Sequence, residues 1–194
     1  MNSSIGPPVI SVFGSHAPKP DSPLYRQARE LGYRLTEAGF KVATGGYEGT
    51  MAAVSQGAVE AGGHPVGVTS SIVEASRGAS LNRWIEEEVR YETLQERLYH
   101  LVTRNEGMVA LEGGIGTLSE LSLAWTLLQV NEIQKRPLVV MGQLWKDFLL
   151  TFIRQEYVSK QTARLVKSLD TPAEVVSFLL SDRSNGSHQG DFHV

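Results

Sequence analysis

The sequence predicts an α/β fold: a doubly wound, mostly parallel sheet of about six or seven strands with helices on both faces. Three observations carry this. Short apolar runs alternate with helix-period segments along the chain. Several junctions between them bear helix-start signals. Two strand-like runs end in glycine pairs of one pattern, ATGGYEGTM (43–51) and LEGGIGTLSE (111–120).

The first strand is PVISVFG (8–14), closed by the proline- and glycine-punctuated loop GSHAPKPDS. Ser22 stands as an N-cap with Pro23 at the first helical position, and Leu24, Ala28, Leu31, Leu35 and Ala38 follow at helical spacing. FKVATGG (40–46) is a second strand, and 49–63 a helix of small residues suited to close packing. PVGVT (65–69) is a third strand. Residues 70–83 are the least regular stretch and read as a long loop, a candidate lid. IEEEVRY (85–91) is a short strand. Thr93 and Glu96 form a capping-box pattern that opens a helix running to about Arg104. GMVALEGG is a strand into glycines, 117–131 a helix, RPLVVMG a strand, 145–158 a helix and RLVKSL the last strand. Thr171, Pro172 and Glu174 start the final helix. Residues 1–182 are expected to form one domain and 183–194 a flexible tail.

Composition narrows the function. The 194 residues carry a net charge of −3 and no cysteine. Disulfides, iron–sulfur ligation and thiol catalysis are excluded. With no broad basic footprint, a nucleic-acid partner is not expected. No stretch approaches the ~20 apolar residues of a membrane span, and the N-terminus lacks a signal pattern, so a cytoplasmic protein is expected. His16, His64 and His100 lack metal-ligand spacing, so neither a metal nor a cofactor is anticipated. The six lysines lie outside both glycine turns, which speaks against Schiff-base chemistry.

Each glycine turn runs from a strand through a glycine pair and a spacer to Gly-Thr at a helix start. Glycine permits close backbone approach, and free N–H groups at a helix N-terminus suit phosphate. The chain has neither a P-loop nor a G-x-G-x-x-G after its first strand. Two readings stay open for the turns: tight βα connections or a ligand cradle. Glu120 follows Thr117 by three residues and fits a capping box. The helix around it is apolar on most sides, however, and a buried carboxylate is costly unless it is employed. Arg97 falls at the edge of a stripe of Leu94, Leu98, Leu101 and Val102, where it either snorkels to solvent or faces the second glycine turn.

The stretches TGGYEGTMAAVSQGAVEAGG, ETLQERL and LEGGIGTLSEL together resemble the LOG ("lonely guy") family, often labelled lysine decarboxylase, over about residues 9–180. The resemblance implies a Rossmann-like homodimer that hydrolyses the N-glycosidic bond of nucleoside 5′-monophosphates, cytokinin ribotides among them, to free base and ribose 5-phosphate. It implies Arg97 and Glu120 as the catalytic pair. Gly113, Gly114, Gly116 and Thr117 would hold the phosphate, with help from Gly45, Gly46 and Thr50. Two positions depart from the family's PGGxGTxxE motif and its Arg-Lys pair: Glu112 replaces the proline and Leu98 the lysine. Both make a phosphate less welcome; Lys19 and Arg77 are candidates to restore charge. The alternative is a non-catalytic binding protein of the same fold, carrying or sensing a nucleotide or a molybdenum cofactor. The expected partners are a small nucleotide ligand and a second copy, docked through helix 117–131 with Trp125, Leu128, Trp145 and Phe148 as the patch.

Overall fold

The computed structural model describes residues 6–186. Seven strands form one parallel sheet: β1 (Val9–Phe13), β2 (Lys41–Thr44), β3 (Val66–Ser70), β4 (Glu87–Tyr91), β5 (Gly107–Ala110), β6 (Leu138–Met141) and β7 (Lys167–Leu169). Their order is β4-β3-β2-β1-β5-β6-β7. The helices are α1 (Pro23–Glu37), α2 (Thr50–Glu60), α3 (Ser71–Arg77), α4 (Leu94–Thr103), α5 (Ile115–Gln129), α6 (Gln143–Phe152), α7 (Lys160–Ala163) and α8 (Pro172–Gly186).

The central strands are apolar on both faces because helices cover both, as parallel sheets require. On one face α1, α2 and α8 bury Leu31, Leu35, Val54 and Val175 against Ile10 and Val12. On the other, α4, α5 and α6 bury Leu101, Leu121, Ala124 and Trp145 against Phe13 and Met108. The small residues of α2 bring it onto α1: a Cβ added at Gly32 would lie 2.0 Å from the Val54 carbonyl oxygen, and one at Gly57 1.9 Å from that of Arg29. β4 is an edge strand and reads accordingly: Glu87 and Arg90 are exposed, paired with Lys41 and Glu74.

The helix starts at Ser22, Thr93 and Thr171 match their sequence signals. Ser22 accepts from the Tyr25 N–H, and Thr93 and Glu96 close a full capping box. Thr171 and Glu174 do the same at α8. Four stretches differ from expectation. Residues 71–77 of the expected loop are the helix α3, which buries none of its residues and is therefore invisible as an apolar stripe. The expected helix 145–158 starts at Gln143 and ends at Phe152, with a separate turn at α7. Residues 183–186 finish α8, and the rest of the expected tail lies outside the described residues. α5 begins at Ile115, two residues before the Thr-x-x-Glu pattern, so Thr117 sits in its first turn rather than capping it.

Strand order reverses around β1, which lies between β2 and β5. The loops leaving β1 and β5 therefore diverge, and a crevice opens at their carboxyl ends.

Candidate functional site

The second glycine turn opens into this crevice. A cavity of about 730 Å³ is lined there by Gly14–His16 after β1 and by Gly114, Gly116, Thr117 and Glu120 of the α5 start. Tyr47, Met51, Arg97, Leu98 and residues of α3 complete its wall. The N-cap of α5 is Gly114, which has no side chain to satisfy the helix's first N–H groups. A helix of this length leaves those donors and its dipole facing the cavity, the ordinary arrangement for an anion.

Arg97 and Glu120 meet in the wall of the cavity. Arg97 is one turn into α4, and its capping box fixes where that turn begins. Arg97 is 6% exposed rather than at the edge of a stripe; Leu94, expected inside, is 45% exposed. Helical rotation puts Arg97 on the face of Leu101, and hydrogen bonding makes its burial tolerable. Its Nε donates to the Val68 carbonyl at 2.8 Å and an Nη to the Gly45 carbonyl at 3.3 Å. Tyr47 lies 5.5 Å below the guanidinium, and its hydroxyl is tied to the backbone of Ser70. The remaining Nη reaches Glu120 Oε1 at 3.5 Å.

Glu120 is 5% exposed. Burial pushes its carboxyl up to about 7, against the opposing charge and hydrogen bond of Arg97. It makes no capping bond to Thr117, because the helix start lies farther upstream.

The first glycine turn is built differently. Gly45, Gly46 and Thr50 do not line the cavity. Gly45 packs under Arg97: a Cβ there would sit 2.0 Å from its Nη. The carbonyls of Gly46 and Tyr47 accept from Asn82, which is 2% exposed. Thr50 is tied to the backbone of Ser15 through its hydroxyl. Gly113 also stays off the cavity, packed against the Thr117 side chain. Asn82, Tyr47 and the Gly14–His16 loop were not singled out by the sequence. Their roles come from long-range contacts, although the loop after a first strand beside a reversal in strand order is a signal.

Glu112 does not charge the cavity. Its carboxylate turns to the N-terminus of α6 and accepts from the Leu144 N–H at 2.9 Å. A negative group is favourable at that position. Lys19 is not part of the cavity wall, whereas Arg77 is, and none of the six lysines lines it.

A second, apolar groove of about 440 Å³ runs between α5 and α6, with Trp125, Phe148 and Phe152 in its wall. Leu128 and Trp145 are 2% exposed, buried in the subunit core rather than in a surface patch.

Comparison with known proteins places the chain in a family. The family model described as "Possible lysine decarboxylase" matches residues 51–179. A probable cytokinin riboside 5′-monophosphate phosphoribohydrolase of Oryza sativa subsp. japonica is 29% identical over 177 residues, covering 86% of this chain and 69% of the relative. The cytokinin riboside 5′-monophosphate phosphoribohydrolase of Mycobacterium tuberculosis is 30% identical over 140 residues, 72% of each chain. Among solved structures, the molybdenum cofactor binding protein of Rippkaea orientalis aligns with a TM-score of 0.71 at 22% identity, over 92% of this chain and 98% of that one. That last likeness is one of fold. The chain belongs to the LOG family, whose model carries the lysine decarboxylase description, and its fold is Rossmann-like.

Proposed function

We propose that this protein hydrolyses the N-glycosidic bond of a nucleoside 5′-monophosphate, releasing free base and ribose 5-phosphate. The observation that carries the reading is the pairing of a buried carboxyl, its pKa raised to about 7, with a fixed guanidinium beside an open helix N-terminus. The activity is the one named for the relatives in rice and M. tuberculosis. In this reading the phosphate takes the N–H groups at the start of α5, which brings the ribose toward Glu120.

Cleavage of the C1′–N bond leaves positive charge on the ribose, and a nearby carboxylate stabilises it. Water adds to C1′ as that bond breaks. Its proton passes to Glu120, the base departs with the bonding pair and takes up a proton from solvent, and Glu120 then gives its proton back to solvent. A carboxyl whose pKa lies near the working pH suits that transfer. Arg97 holds Glu120 in place, and its own position is set by the Val68 and Gly45 carbonyls. The enzyme acts as a homodimer in this proposal, joined through the apolar groove of α5 and α6. Sedimentation as a monomer at micromolar concentration contradicts the dimer.

The test is ribose 5-phosphate release from a panel of nucleoside monophosphates, cytokinin ribotides included. Release from at least one supports the enzyme. Tight binding with no release supports the second reading, a carrier or sensor of a nucleotide or pterin-type ligand. That reading draws on the fold shared with the Rippkaea protein and on the loss of a cationic side chain at Leu98.

A further inference from the structure

The pairing of Arg97 with Glu120 leaves one cation of the cavity wall without an assigned role. Arg77 stands in the last turn of α3, exposed, and lines the cavity. No hydrogen bond or ion pair joins it to another described residue. A basic residue complements the end of a helix, but α3 is a short helix that buries none of its residues.

The cavity needs a cation from somewhere if it is to hold a phosphate dianion. Arg97 turns three of its five N–H groups onto Val68, Gly45 and Glu120. Position 98, the next on α4, lines the cavity with leucine. The acidic groups of the wall are Glu48 and Glu120, and its only other basic side chain is His16. Arg77 is therefore the guanidinium of the wall that is bonded to no other described residue and stands open to a ligand.

Its support is suited to that use. The segment carrying it is tethered at both ends. Ser70 is wholly buried at the end of β3, and Asn82 is bonded to Gly46 and Tyr47. Between these anchors, Ile72, Val73, Ser76, Ala79 and Ser80 also line the cavity. An arginine in that wall shares the cavity with the start of α5 and can bind a phosphate in a bidentate fashion.

We propose that Arg77 is the cationic phosphate ligand of this site and makes it select a 5′-phosphorylated ligand over the bare nucleoside. The inference rests on the nucleotide reading given above. Calorimetric titration with adenosine 5′-monophosphate and with adenosine tests it, using the full chain as wild type, Arg77→Ala, Arg77→Lys and the double variant Arg77→Ala/Leu98→Lys. Arg77→Ala weakens the monophosphate about tenfold or more and leaves adenosine unaffected. Arg77→Lys keeps part of the affinity, and a lysine at position 98 restores part of it. Three outcomes overturn the proposal: an unchanged monophosphate affinity in Arg77→Ala, an equal loss for both ligands, or no binding of the monophosphate by the wild type. The hydrolase reading fails separately, when the wild type binds the monophosphate and releases no ribose 5-phosphate from any substrate.

Discussion

The two glycine turns share a sequence pattern and differ in almost everything else. In the turn after β2, Gly45 lies under the Arg97 guanidinium, and Asn82 takes the carbonyls of Gly46 and Tyr47. The loop after β1 covers the start of α2, where the Thr50 N–H donates to the Ser15 carbonyl at 2.8 Å. In the turn after β5, a Cβ added at Gly114 or Gly116 would meet nothing within 4 Å, and the start of α5 faces open space. A glycine pair thus specifies a turn, and whatever packs over it decides between scaffold and site. Here the first turn builds the seat of Arg97, and the second opens onto the cavity.

The comparison can be broken by substitution, and the largest effect is expected at Glu120. Glu120→Gln lowers the turnover number about a hundredfold or more, measured as ribose 5-phosphate release. Next comes Arg97→Met, which strands the Glu120 carboxylate and two buried carbonyls. Urea denaturation is expected to show a loss of about 3–5 kcal/mol at pH 8.

The pH dependence of stability sharpens the same point. The folded pKa of Glu120, about 7, lies above the ordinary glutamate value of 4.5. Its contribution is fully present below the unfolded pKa and is lost as pH rises through the folded one. The fall between these values is on the order of 3 kcal/mol. In Glu120→Gln that fall is missing, and a curve unchanged from wild type contradicts the assignment.

Alanine at the two turns separates them further. Gly45→Ala displaces Arg97 and costs about 1–3 kcal/mol. Gly114→Ala changes stability by less than about 0.5 kcal/mol and acts on ligand affinity instead. Equal thermal shifts in the two variants remove the distinction. The smallest effect is expected of Glu112→Ala, which loses the α6 cap at about 1 kcal/mol and leaves turnover as it was.

Much of this molecule is legible in its sequence, because parallel strands and capped helices follow local rules. Ser22-Pro23, Thr93-Glu96 and Thr171-Glu174 are read correctly since each side chain bonds within its own turn. The Thr117-Glu120 pattern misleads because α5 starts two residues upstream, at Ile115, with Gly114 as an N-cap that has no side chain. α3 escapes detection because it buries nothing. The meeting of Arg97 with Glu120 follows from family resemblance, whereas the burial of Arg97 depends on acceptors 29 and 52 residues away in the chain. Asn82 is a single polar residue in an irregular stretch, and only the fold shows that it holds the first turn.

The division of labour between the turns is tested most directly by a crystal structure of Glu120→Gln with adenosine 5′-monophosphate. The account predicts the phosphate within hydrogen-bonding distance of the N–H groups of Ile115–Thr117, with the ribose toward residue 120. A phosphate seated on Gly45 and Gly46 at the start of α2 would contradict it.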